Sequence, residues 1–337
     1  MRLLRILAFP VSLVYAAIVH LRNLLYDVGF FPSKKFTTPT ICIGNLSTGG
    51  TGKTPMVTFL SEMLKDTYKI ALLSRGYRRK SKGFVLADAA STVADLGDEP
   101  FQLKRKHAYL TVVVDADRSN GIKMLEEKVN PDVILLDDAF QHRKVLPQLS
   151  ILLTAYDALY VDDWYLPTGN LRDAKNQSKR ADVIAVTKCP NLLSKVERGS
   201  ILKKLGPKHH QKVIFGTLGY SEFFTDGKTK ISFDGIENKK CALVTGIANP
   251  EPLVSHLKGL GLVFEHLRFA DHHFFSDKEI NDFKAYEIIL TTEKDYVRFG
   301  DRLTNAFYLE MGHVFSKVDT EILKKELIEA IKPHDAP

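Results

Sequence analysis

TICIGNLSTGGTGKTPMVTFLSEMLK, residues 40–65, decides the fold. A short apolar run leads into a glycine-rich stretch, and beyond Pro55 the residues MVTFLSEMLK carry a helical pattern. The order is strand, loop, helix. Such a loop turns backbone N–H groups towards phosphate oxygens, and the helix N-terminus adds its partial positive charge. Thr48, Gly49, Gly50, Thr51, Gly52, Lys53 and Thr54 are therefore the candidate nucleotide-binding residues. Lys53 is suited to reach the β- and γ-phosphates, and the Thr54 hydroxyl to ligate Mg²⁺. Pro55 fits the first helical turn, where its missing N–H has no intrahelical partner. The pattern G-x-x-x-x-G-K-[ST] would put its first glycine where Ser47 stands, so Gly49 and Gly50 are expected to supply the flexibility.

Outward from this stretch, apolar runs recur at α/β spacing: KIALLS (69–74), YLTVVV (109–114), DVILLD (132–137), SILLTA (150–155) and DVIAVT (182–187). Most are unbroken, as strands covered on both faces are. The fold class expected is α/β, a P-loop NTPase-type, mostly parallel sheet with helices on both faces. Ligands bind at the carboxyl ends of such strands. There stand Ser74-Arg75-Gly76-Tyr77-Arg78, Asp115-Ala116-Asp117-Arg118 and Asp137-Asp138-Ala139-Phe140-Gln141-His142. A carboxylate pair closing an apolar strand is the Walker B arrangement that serves Mg²⁺. Thr187-Lys188-Cys189-Pro190 begins the guanine-reading pattern [NT]-K-x-D but lacks its aspartate, so ATP is expected and GTP is not.

The 337 residues are 45% hydrophobic and 26% charged, which excludes a disordered chain and suggests two domains. Three cysteines without ligand or framework spacing point to a reducing compartment, the cytoplasm. The net charge is +7, and residues 1–36 hold five basic residues against one acid. Within them ILAFPVSLVYAAIV (6–19) is too short to cross a bilayer, which takes about 20 apolar residues. A signal peptide is disfavoured because the chain runs on into a loop that needs cytoplasmic ATP. Leu21, Leu24, Leu25, Val28 and Phe31 continue the apolar pattern, so a helix in the membrane interface is expected, with a core helix as the alternative. Its apolar residues and basic flanks are expected to meet only the bilayer and acyl chains, independently of the phosphate loop.

GNLSTGGTGKTP (44–55), SRGY (74–77), GDEP (97–100), DR (117–118), DDAFQH (137–142), LPTGNLRD (166–173), RAD (180–182), GIANPE (246–251), DHH (271–273) and TEKD (292–295) follow one another along nearly the whole chain. This series resembles the tetraacyldisaccharide 4'-kinase family, the lipid A kinases. The resemblance implies transfer of the γ-phosphate of ATP to the 4'-hydroxyl of a tetraacylated glucosamine disaccharide 1-phosphate, with Mg²⁺, peripherally on the cytoplasmic face of the bacterial inner membrane. It implies Asp98 as the catalytic aspartate and His272 as its supporting histidine. Glu99, Asp137 and Asp138 would serve Mg²⁺ and charge organisation, and Tyr77, Arg118, His142 and Asn170 would face the sugar phosphate. Two positions depart from the commoner pattern: Ala139 stands for a glycine and Asp173 for a glutamate. Read from the residues alone, Asp98 before EPFQLKRKH is an N-cap aspartate. Asp271-His272-His273 lacks the further ligands of a zinc site.

The expected division is residues 1–36 as the interface helix, 37–212 as the P-loop kinase domain and 225–305 as a smaller α/β domain. Residues 213–224 and 306–315 would form a two-stranded linker, and 316–337 a C-terminal helix. A P-loop ATPase acting on a protein or metal cofactor would leave the N-terminal helix unexplained. Nucleic-acid binding through RGYRRKSK (75–82) finds no recognisable motif, so phosphate or membrane contact is preferred there. The expected partners are the embedded lipid acceptor and the membrane surface; no nucleic acid and no protein partner are implied.

Overall fold

The structure is a computed structural model that describes residues 5, 7–236, 239–271, 273–299 and 302–332. In chain order its main elements begin with α1 (Phe9–Asp27), β1 (Thr40–Asn45), α2 (Lys53–Leu64), β2 (Ile70–Ser74), β3 (Val85–Leu86), α3 (Val93–Leu96) and α4 (Asp98–Lys106). There follow β4 (Thr111–Val114), α5 (Arg118–Lys128), β5 (Val133–Asp137), β6 (Leu149–Ala155), β7 (Val183–Thr187), α6 (Lys195–Leu205), β8 (Lys212–Thr225) and β9 (Lys230–Ser232). The last are β10 (Cys241–Thr245), α7 (Glu251–Gly259), β11 (Glu265–Arg268), α8 (Asp277–Phe283), β12 (Ile288–Thr292), α9 (Glu293–Phe299), β13 (Ala306–Phe315) and α10 (Lys317–Ile331).

The strands lie in the order β11-β10-β12-β13-β8-β7-β6-β1-β5-β2-β4-β3, with β9 off this path against β8. Pairing is parallel except at β3 against β4, β13 against β8 and β9 against β8. The long strand β8 holds the sheet together. Its first half pairs with β7, Val183 opposite Lys212, and its second half pairs with β13, Thr217 opposite Val314.

Alternate residues of β1 enter different cores. Ile41 and Ile43 pack with Met56, Leu60, Leu72, Val112 and Leu135 on one face, while Cys42 joins Leu73, Ile134, Leu136 and Leu152 on the other. Burial on both faces is why these strands read as unbroken apolar runs. Leu323, Leu327 and Ile331 bring α10 onto the first of these cores. Two further clusters sandwich β10 and β12, with Leu243 and Leu290 on one side and Val244 and Ile289 on the other.

Helix α1 is turned the unusual way round. Ser12, Val19 and Asn23 are buried, with Tyr15, Ala16, Arg22 and Tyr26 half-buried along the same stripe, so its mostly polar face meets the protein. Val11, Leu13, Val14, Ile18, Leu21 and Leu24 are exposed. Ser12 Oγ donates to Thr168 Oγ1 at 2.8 Å, Tyr15 Oη to the Arg172 carbonyl at 3.1 Å, and Asn23 Nδ2 to Asp173 Oδ1 at 2.7 Å. A core helix would hide the opposite face. The expected independence of this segment from the phosphate loop is also corrected, because Arg22 donates to the Gln141 carbonyl at 2.5 Å and Arg5 to Asn170 Oδ1 at 3.3 Å.

Candidate active site

β1 delivers the chain to the phosphate loop, and α2 begins at Lys53 with Gly52 as its left-handed cap, φ 85°. The positive φ values fall at Gly49, 122°, and Gly52, so Gly52 and not Gly50 shares the work with Gly49. A Cβ on Gly52 would also stand 2.8 Å from the His313 ring. That ring, on β13, lies with Nε2 2.8 Å from the Gly52 carbonyl, and burial lowers its pKa, so the neutral imidazole donates there through Nε2–H. Asn45 Nδ2 donates to Thr51 Oγ1 at 3.0 Å and Thr187 Oγ1 to the Thr51 carbonyl at 2.8 Å. The Thr48 N–H donates to the Asn170 carbonyl at 2.7 Å. The loop is thus held from β1, β7, β13 and the 163–173 loop before any phosphate arrives.

Lys53 Nζ lies 3.7 Å from Asp138 Oδ1. Asp138 sits at φ 48°, the left-handed turn that follows β5, while Ala139 is not among the positive-φ residues. The alanine therefore needs no glycine's freedom. Arg172 forms a bidentate pair with Asp138, through Nη1 at 2.9 Å and through a short Nη2 contact, and Nη2 also reaches Asn45 Oδ1. Burial raises the Asp138 pKa, but the Arg172 hydrogen bond and the nearby Lys53 outweigh it and hold the carboxyl below its usual range. Its neighbour differs: burial, then the charges of Glu99 and Asp138, push Asp137 up to about 6. Asp137 Oδ2 accepts from Ser74 Oγ at 3.0 Å, while its buried Oδ1 has no hydrogen-bond partner. An orphaned buried carboxylate oxygen beside two further acids fits a divalent cation. Among the described residues no three such side chains enclose an ion unaided, which suits Mg²⁺ completed by phosphate and water oxygens.

α4 brings Asp98 and Glu99 to the same sheet edge. Gly97, φ 86°, occupies the cap position and Asp98 is the first helical residue, so the N-cap expectation for Asp98 is corrected. Asp98 Oδ2 accepts from Arg298 Nη2 at 2.8 Å, and Arg298 is held in turn by Asp295 at 2.8 Å. Glu99 accepts from Lys294 at 2.6 Å; burial raises its pKa, but Lys294 and then Lys53 bring it below the usual value. Lys294 lies in the TEKD stretch and Arg172 in LPTGNLRD, although neither was singled out as a site residue, and nothing local marked Arg298 or His313. His272 lies outside the described residues.

The substrate candidates part company. Tyr77 is exposed and lines a cavity of about 610 Å³ together with Asp98. Arg118 is only 2% exposed and hydrogen-bonds the carbonyls of Asp115 and Asp137, which supports the turn that carries Asp137 and Asp138. His142 is half-buried, and burial followed by Arg118, Arg75 and Arg22 lowers it to about 4. Asn170 stands beside Thr48 and Arg5, on the α1 side. Asp173 is buried, accepting from Asn23 and the Ala174 N–H, with Arg180 3.8 Å away.

A phosphate loop, a lysine facing a strand-end carboxylate pair and a second carboxylate site at the head of a neighbouring helix define a P-loop phosphotransferase. Comparison with known proteins narrows the class. The sequence profile of the tetraacyldisaccharide-1-P 4'-kinase family matches residues 4–333. The tetraacyldisaccharide 4'-kinase of Flavobacterium johnsoniae is 45% identical over 321 residues, 94% of each chain, and that of Bacteroides thetaiotaomicron is 43% identical over 310 residues, 86% of this chain and 82% of the relative. The crystal structure of LpxK from Aquifex aeolicus in complex with ATP superposes with a TM-score of 0.81 at 30% identity, covering 97% of this chain and 99% of that one. The chain belongs to the tetraacyldisaccharide-1-P 4'-kinase family and is a kinase.

Proposed function

We propose that this kinase carries the γ-phosphate of ATP to the 4'-hydroxyl of a tetraacylated disaccharide 1-phosphate at a membrane surface. The loop 48–54 would hold the phosphates through its N–H groups, with Lys53 neutralising charge that develops during transfer. Asp98 would accept the proton of the attacking hydroxyl, supported by His272. Arg172 and Lys53 keep Asp138 ionised, and Asp137, Asp138, Glu99 and the Thr54 hydroxyl are the groups to hold Mg²⁺. When bound, that ion supplies positive charge to the phosphates. Tyr77 would border the acceptor at the Asp98 end and His142 and Asn170 on the α1 side. Residues 225–305, entered along β8 and left along β13, would act as the smaller unit that brings His272 to Asp98 and excludes water.

The observation that carries the reading is the gathering of Lys53, Glu99, Asp137 and Asp138 at one sheet edge, with Asp98 beside Glu99 at the head of α4. α1 supports the membrane part: it is docked by its polar face and offers an apolar one. A polar side against protein and an apolar side outward suit a helix lying in an interface. With ATP on the same side, that surface would be the cytoplasmic face of the inner membrane. The test is transfer of labelled γ-phosphate into the acylated disaccharide 1-phosphate presented in micelles. No labelled lipid from the full chain would reject the assignment.

A further inference from the structure

The acceptor in the family's name carries a phosphate on C1 and receives the new one on C4', at opposite ends of a disaccharide. A site for it needs an anion-binding group one disaccharide length from the base. Within α4, Asp98, Phe101 and Arg105 are spaced i, i+3 and i+7 and so share one helix face. All three line the cavity of about 610 Å³, together with Arg78, Lys80 and Phe274. Seven residues of helix separate Asp98 from Arg105, about 10 Å at 1.5 Å per residue. Phe101 lies between them, its ring centroid 6.0 Å from the Arg105 guanidinium carbon.

The charges around this cavity are of two kinds. Arg79 is spent within the fold, donating to the Val114 carbonyl at 3.2 Å and the Gly83 carbonyl at 2.7 Å, and Lys106 pairs with Glu293 and Glu310. Arg78, Lys80 and Arg105 form no ion pair among the described residues, although all three line the cavity. Cations left without acids around an apolar ring suit an anionic sugar: guanidinium and ammonium groups take a phosphate monoester through charge-assisted hydrogen bonds, and an aromatic face takes the sugar's C–H side.

We propose that Arg105, with Arg78 and Lys80, is the 1-phosphate subsite of the acceptor, so that the disaccharide lies along α4 over Phe101 with its 4'-hydroxyl at Asp98. This inference rests on the 4'-kinase reading. It assigns Arg78 and Lys80 of the RGYRRKSK cluster to substrate selection rather than to nucleic acid.

The test compares two acceptors, the tetraacylated disaccharide with and without its 1-phosphate, using the full chain in neutral detergent micelles. The quantity read is the preference, the ratio of the two kcat/KM values. Wild type should favour the phosphorylated acceptor. Arg105→Ala and Lys80→Ala should each cut the preference about tenfold, the worth of one charge-assisted contact. Arg105→Lys should restore part of it, and Arg105→Glu should cut it further. Equal losses on both acceptors, or a wild type indifferent to the 1-phosphate, would overturn the subsite while leaving the kinase intact. A loss of activity confined to phosphatidylglycerol vesicles would assign the three cations to lipid headgroups and equally overturn it. Wild type that phosphorylates neither acceptor would instead reject the kinase reading itself.

Discussion

Replacing Val14, Ile18 and Leu21 together with serine should release the protein from membranes without unfolding it. The three side chains are 62%, 61% and 58% exposed on the outer face of α1. Full burial of a Val, Leu or Ile side chain is worth about 1.5–3 kcal/mol, so inserting the exposed three-fifths is worth about 1–2 kcal/mol each. Together they contribute about 4 kcal/mol, roughly three powers of ten in the partition coefficient. Sedimentation with phosphatidylglycerol vesicles at low and high salt measures that loss, and the apolar share should persist when salt screens the rest. The same variant should melt within a degree or two of wild type in buffer, because the polar contacts of Ser12, Tyr15, Arg22 and Asn23 remain. A variant that still pellets with vesicles, or that loses several degrees in Tm, would refute the reasoning. Deleting residues 1–30 is a different perturbation. It removes the donors to Arg172 and Asp173 and should therefore raise KM for ATP as well as for lipid.

Lys53→Ala should abolish labelled phosphate transfer yet keep the far-ultraviolet circular dichroism of wild type, since its ion-pair partner Asp138 retains Arg172; near-normal turnover would sink the loop assignment. Asp98→Ala and His272→Ala should each lower kcat steeply, and the double variant should lose little more than the worse single one, as residues acting as a unit do. Losses that multiply in that cycle would separate the two roles. Burial, and then Lys106, depress His107 to about 4 from an ordinary 6.5. Its folded form therefore binds fewer protons than the unfolded chain in that window, so its contribution is complete above pH 6.5 and fades as pH falls towards 4. At about 1.4 kcal/mol per pH unit the loss amounts to roughly 3 kcal/mol, and urea titrations should show His107→Gln losing less than wild type over the same window.

The sequence by itself determined whatever depends on neighbours along the chain. The phosphate loop, the unbroken strands and the Asp137-Asp138 pair are local patterns, because a strand covered on both faces must be apolar throughout and a phosphate cradle needs glycines beside a helix start. The family series could be read for the same reason. Tertiary structure decided everything that joins distant positions. Arg172 grips Asp138, Lys294 reaches Glu99 across 195 positions and Arg298 reaches Asp98 across 200, and no spacing rule connects such residues. Periodicity within residues 1–36 also pointed to an amphipathic interface helix, with a core helix as the alternative, but did not decide which side of the Phe9–Asp27 helix faces inward. That was settled by acceptors supplied from elsewhere: buried Asp173, the Arg172 carbonyl and Thr168 satisfy the helix's polar groups, leaving its apolar stripe to the outside.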